Sequence, residues 1–124
     1  MELITLGEAE REFAESVAYY KSKEERLGSR FRDEIVAAVS RIVQNPELPR
    51  LRPKGYRRVN LRVFPHYIAY VIREDVWIVA IAHSHRRPEF WIERITPGRS
   101  NEQVLSRHWW IWNSADSRHD MKMH

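Results

Sequence analysis

"FPHYIAYVIREDVWIVAIAH", residues 64–83, carries the reading that decides the fold. The stretch is rich in β-branched and aromatic residues and is interrupted only at "RED". It reads as two strands with a tight connection, the first from about His66 to Ile72 and the second from about Val76 to His83. The near-continuous apolar run from Val76 to Ala82 predicts a central strand covered on both faces. Just upstream, Val59, Leu61 and Val63 alternate with Arg58, Asn60 and Arg62. That period of two predicts a half-buried strand with one apolar and one basic face.

Towards the N-terminus the period lengthens. Ala9, Phe13, Val17 and Tyr20 form the stripe of an amphipathic helix, and Glu8, Glu10, Glu12 and Glu15 load its first turns favourably for the helix dipole. Gly28 reads as the C-terminal residue of that helix and Ser29 as the cap of the next. Phe31, Ile35, Val39 and Ile42 repeat the stripe, and Asn45 with Pro46 ends it, so the two helices are expected to fold back as a hairpin. "LITL", Leu3 to Leu6, predicts a short edge strand before them. The sum is an α+β domain: an N-terminal edge strand and a helical hairpin packed on an antiparallel β-sheet.

At 124 residues the chain is one domain's worth, and it has no cysteine, which removes disulfides and thiolate chemistry together. The N-terminus lacks a signal-peptide pattern, and no apolar run approaches the roughly 20 residues of a membrane helix, so a soluble, cytoplasmic protein is expected. Charge is uneven. Residues 1–45 hold 7 Lys/Arg against 9 Asp/Glu, whereas residues 46–95 hold 10 against 5. Arg50, Arg52, Lys54, Arg57, Arg58 and Arg62 follow one another with no acidic residue between Leu48 and Arg62, a block that attracts phosphates or an acidic partner.

The organisation expected is a domain over residues 1–95 and a C-terminal extension over 96–124. In the extension, Ser100 and Gln103 fit a capping box whose helix would place Leu105, Trp109 and Trp112 on one face, before a frayed end. "HWWIW", residues 108–112, is expected to dock on the domain or on a second copy rather than stand in solvent.

Few residues carry chemistry. His83 and His85 share a strand face, but no further ligands stand at a convincing spacing, and a metal is not expected. His108, His119 and His124 lie in the tail, and Ser84 lacks a nucleophile-elbow setting. Arg86 and Arg87, with Phe90 and Trp91, are more informative. They combine permanent charge, bidentate geometry and stacking planes, which suit nucleic acid or an acidic protein segment.

These residues also carry a resemblance. "EAERE" at 8–12, "LGSRF" at 27–31, "NP" at 45–46, "RRVNLRVFPHYIAYVI" at 57–72 and "AIAHSHRRPEFW" at 80–91, in this order and spacing, resemble the RelE/ParE superfamily of type II toxin-antitoxin toxins. Members are also described as plasmid stabilisation proteins, and the likeness covers about residues 2–93. It implies a small toxin held inactive by a cognate antitoxin whose C-terminal segment wraps it. RelE-like members cut messenger RNA on the ribosome without metal, using basic residues and an aromatic or histidine acid/base. ParE-like members poison DNA gyrase and lack that set.

For cleavage, the resemblance would assign phosphate contacts to Arg58 or Arg62 and to Arg86 or Arg87, with His83 or His85 as acid or base. The tyrosine common at the end of RelE-like ribonucleases is missing, since "RRPEFW" offers only Phe90 and Trp91, neither of which transfers a proton. The expectation is therefore a ParE-like toxin without cofactor or enzymatic activity. Its expected partner surface is Arg57, Arg58, Arg62, Arg86, Arg87, Phe90 and Trp91. Expected partners are the antitoxin and DNA gyrase, with no membrane, and a second copy as a further partner. The alternatives are a RelE-like endoribonuclease acting on ribosome and messenger, and an inactive member that retains the fold.

Overall fold

The computed structural model describes residues 1–95 and the backbone of residues 104–106. The order is β1 (Leu3–Leu6), α1 (Gly7–Lys23), α2 (Glu25–Gln44), β2 (Arg57–Asn60), β3 (His66–Arg73), β4 (Asp75–His83), a 3-10 turn (Ile92–Ile95) and β5 (Val104–Ser106). The strands form one sheet in the order β2-β3-β4-β1-β5. β3 and β4 fall where the opening stretch placed them, and β4 is central. The α+β class and the helical hairpin hold, with a refinement at β1. It runs parallel to β4, with Leu3 opposite Val76 and Thr5 opposite Ile78, and it pairs with β5 on its other side. The sheet is mixed, and β1 lies inside it rather than at its edge.

Between the helices the chain breaks at Glu24, which is extended at φ −163° and ψ 128°, four residues before the glycine expected to end α1. Gly28 lies inside α2, and a Cβ there would sit 2.9 Å from the Lys21 Cβ and 3.2 Å from the Val17 carbonyl oxygen. It is a point of close approach between the helices, not a cap. β2 ends at Asn60, so the predicted alternation stops early. Leu61 turns into the core, while Val63 is 61% exposed.

Two cores result, one on each sheet face. On the helix face, Phe31, Ile35, Val39 and Ile42 of α2 meet Ile68, Tyr70, Ile78 and Ile81. On the other face, Tyr56, Tyr67, Val79, Ala80, Ala82, Trp91 and Ile95 pack together beneath the segment that follows β4. A bulge connects the two patterns. Ala69 opposes Ala80 but Tyr70 opposes Ile78, leaving Val79 as the extra residue. Val79 and Ala80 therefore both join the second core, and the alternation beyond them is reversed. Ile81 returns to the helix face, and His83 follows it with its ring 4.9 Å from that of His66.

The helix expected from Ser100 is not formed at Val104–Ser106, where the backbone instead adds a strand to β1. The unpaired edge of β1 offers hydrogen-bonding groups that a helix could not satisfy. The remainder of that expected helix, "HWWIW" and the three C-terminal histidines lie outside the described residues.

Candidate functional site

β1 pairs with β4 only as far as Thr5, because the chain turns into α1 at Gly7. β4 runs on to His83, and side chains serve its exposed backbone in place of a strand. The Ile81 N–H donates to Glu12 Oε1 at 3.0 Å, and Arg94 Nη1 donates to the Val79 carbonyl at 3.1 Å. Glu12 and Arg94 then close on each other through two hydrogen bonds of 3.1 and 2.9 Å. This half-buried pair ties α1 to the segment after β4. It closes the C-terminal end of the segment that carries the candidate residues Ser84 to Trp91.

Within that segment, Arg86 lays its guanidinium over the Phe90 ring at 3.7 Å. Trp91 follows in the core at 1% exposure, its indole N–H donating to the Tyr67 hydroxyl at 2.8 Å and its ring edge against Tyr56 at 4.6 Å. Arg58 of β2 covers the outer face of Tyr67 at 3.8 Å and holds Asn60 Oδ1 at 2.8 and 3.1 Å. Two stacked guanidiniums result, Arg58 on Tyr67 and Arg86 on Phe90, and both aromatic rings belong to or pack against the apolar core that holds Trp91. Stacking covers one face of each cation; Asn60 occupies one edge of Arg58, and the exposed edges of Arg86 suit carboxylates or phosphates.

Glu89 anchors the same segment from the other side. It accepts from Lys54 Nζ at 2.8 Å and from the Tyr56 hydroxyl at 2.7 Å, at a positive φ of 55°. The Lys54 hydrogen bond, then that of Tyr56, holds its carboxyl below the usual range, while burial pushes the Tyr56 hydroxyl up.

The histidines gather at the far end of the β3-β4 pair. The His66 carbonyl accepts from Leu61, so His66 and His83 form a non-hydrogen-bonded cross-strand pair, the kind that brings side chains closest. His83 Nδ1 accepts from the His85 backbone N–H at 3.0 Å. His66 lies under Tyr20 and Phe31, and burial, reinforced by His83, lowers its pKa to about 4. Both rings border a pocket of about 130 Å³ with Glu12, Glu15, Arg86 and Phe90. Among the described residues, no group of three or more histidine or acidic side chains is placed to hold a metal.

Residues 3–88 match the family described as the ParE toxin of type II toxin-antitoxin system, parDE. The chain belongs to the ParE toxin family. No curated protein is significantly similar to it. The match ends inside the segment that carries Arg86, so the Glu89 clamp, Trp91 and the Arg94 ion pair of this ParE-family toxin lie beyond it.

The expected partner surface is brought together in part. Arg86 and Phe90 stack on each other, Arg58 stacks separately on Tyr67, and Arg87 is exposed beside Arg86. Trp91 is corrected: its side chain is core and offers no contact surface, since the Tyr67 hydroxyl and the second apolar core together satisfy it. Arg57 bonds the Pro49 carbonyl at 2.9 Å and braces a loop. Arg62 is exposed on the turn after β2, where Glu34 of α2 accepts from its backbone N–H at 2.7 Å. Sequence reasoning missed His66, Glu12, Glu89 and Arg94. A period-two register across "RED" would have brought His66 near the end of β4, but nothing in the sequence announces the bulge that sets it opposite His83.

Proposed function

We propose that this ParE-family toxin acts in the cytoplasm by binding and inhibiting a protein target, DNA gyrase, and is neutralised by a cognate antitoxin. Arg58, Arg86, Arg87 and Phe90 form the contact surface, with Arg62 at its margin. One observation carries the reading: the tyrosine hydroxyls nearest the stacked arginines are engaged and His66 is buried, which leaves only the strand-end His83 and His85 for proton transfer near Arg86. The Tyr56 hydroxyl donates to Glu89, the Tyr67 hydroxyl accepts from Trp91, and His66 is buried and uncharged at neutral pH. Guanidiniums held on aromatic faces suit recognition of carboxylates, whereas strand cleavage also needs a general acid and base within reach of the phosphate.

Expression under tight induction, with and without the small open reading frame beside the gene, tests this against the ribonuclease reading. Early loss of thymidine incorporation, relieved by the neighbour, is the expected result. Early loss of amino-acid incorporation would instead move the site to His83, His85, Arg86 and Arg87. The absence of any arrest would leave the inactive-member reading.

A further inference from the structure

The loop between α2 and β2, residues 45–56, has a feature that the stacked-arginine surface does not use. It is firmly pinned. The Tyr70 hydroxyl donates to the Pro46 carbonyl at 2.6 Å, and Arg57 Nε donates to the Pro49 carbonyl at 2.9 Å. Backbone bonds from Leu48 to Asn45, Arg52 to Tyr56 and Gly55 to Arg52 close turns along it. Three prolines, Pro46, Pro49 and Pro53, and the positive-φ pair Lys54 and Gly55 restrict it further.

This fixed loop holds Leu48 at 77% exposure and Leu51 at 58%. The two are three residues apart, so their Cα atoms lie within about 10 Å. Arg50 is exposed beside them, Arg52 is half-buried, and Glu47 is the loop's only acidic residue. A loop free to move could tuck two leucines away, whereas a braced one keeps them in water, where apolar surface is unfavourable.

We propose that Leu48 and Leu51 are the anchors of a docking surface for the protein that this toxin inhibits, and that they enter an apolar recess on it rimmed by carboxylates. The inference rests on the binding reading above and names a second contact for the same target. Shape decides the occupant. A braced, protruding loop needs a concave, folded partner, and an extended wrapping segment such as the antitoxin tail supplies no recess. Charge decides the rim, because Arg50 and Arg52 flank the leucines. Pre-bracing leaves little loop entropy to lose on docking.

The test uses the full chain with Leu48→Ser and Leu51→Ser combined, and separately Arg50→Glu. All three side chains are at the surface, so thermal unfolding should match the parent. The expected result is that the inducer dose needed for growth arrest rises about tenfold or more for each variant, while binding to the purified neighbour-encoded antitoxin changes less than about threefold. Unchanged arrest by the leucine variant overturns the inference, as does loss of antitoxin binding in step with loss of arrest. The comparison with parent is independent of which synthesis stops first, so a translational arrest would sink the gyrase reading and leave this test intact. A parent chain that arrests nothing overturns both.

Discussion

On one face of the sheet, α2 lays Phe31, Ile35, Val39 and Ile42 against aliphatic strand residues, and the rings of Tyr20, Phe64 and His66 crowd around Phe31. On the other face no helix is present among the described residues. A loop and a turn cover it, and Tyr56, Tyr67 and Trp91 fill it while their polar tips bond Glu89 and one another. The first face is held by area and shape, which are non-directional. The second adds hydrogen bonds and ion pairs of defined geometry, which fix where Arg58 and Arg86 stand. Stability thus concentrates under the helices, and the proposed contact residues Arg86, Arg87 and Phe90 sit on a cover that is latched rather than buried.

Trp91→Ala should test that contrast most severely. It removes the largest buried side chain of the latched face and leaves the Tyr67 hydroxyl without its donor, so a loss of about 3–5 kcal/mol is expected in urea unfolding. A loss under about 1 kcal/mol would show that the cover is not part of the cooperative fold.

The helix face makes its own prediction through His66. Its pKa is near 4 in the folded chain and 6.5 when unfolded, so the unfolded state binds the extra proton between those values. The contribution is complete above pH 6.5 and is lost as the pH falls to about 4, up to about 3 kcal/mol in all. Comparing the pH dependence of stability in parent and His66→Phe isolates it, and parallel curves would contradict the assigned burial.

Arg94→Ala cuts the link between the faces. It leaves Glu12 charged and half-buried and the Val79 carbonyl unbonded, with an expected cost of about 2 kcal/mol. If the pair positions the stacked arginines, binding to antitoxin should weaken in the same variant at temperatures where it remains folded. Gly28→Ala is the smallest change. Helix propensity favours alanine by up to about 1 kcal/mol. The Cβ would nonetheless meet Lys21 at 2.9 Å, and overpacking of about 1–3 kcal/mol outweighs the propensity, for a net loss near 1 kcal/mol. A stabilised variant would show that the helices can separate without cost.

The helix face was largely legible in the sequence. Stripes at Ala9 to Tyr20 and Phe31 to Ile42, with the strands around "RED", report burial through their periods, and burial is what built that face. The latched face was not. Its bonds join residues such as Glu12 and Arg94, or Tyr56 and Glu89, that are far apart in sequence and carry no common period. The bulge at Val79 moved His83 to the helix face through one added residue in a strand of uniform character. Trp91 was read as a binding aromatic because an indole near arginines fits both roles, and only its surroundings separate them. Gly28 showed the reverse: a residue typical of a helix end was used for close packing.

The most direct test of the account is to add purified toxin to gyrase and supercoiled DNA, and in parallel to ribosomes carrying messenger, with and without Arg58→Gln and Arg86→Gln together. The account predicts gyrase inhibition that the double substitution weakens by at least about tenfold, with the messenger intact. Cut messenger alongside fully active gyrase would contradict it.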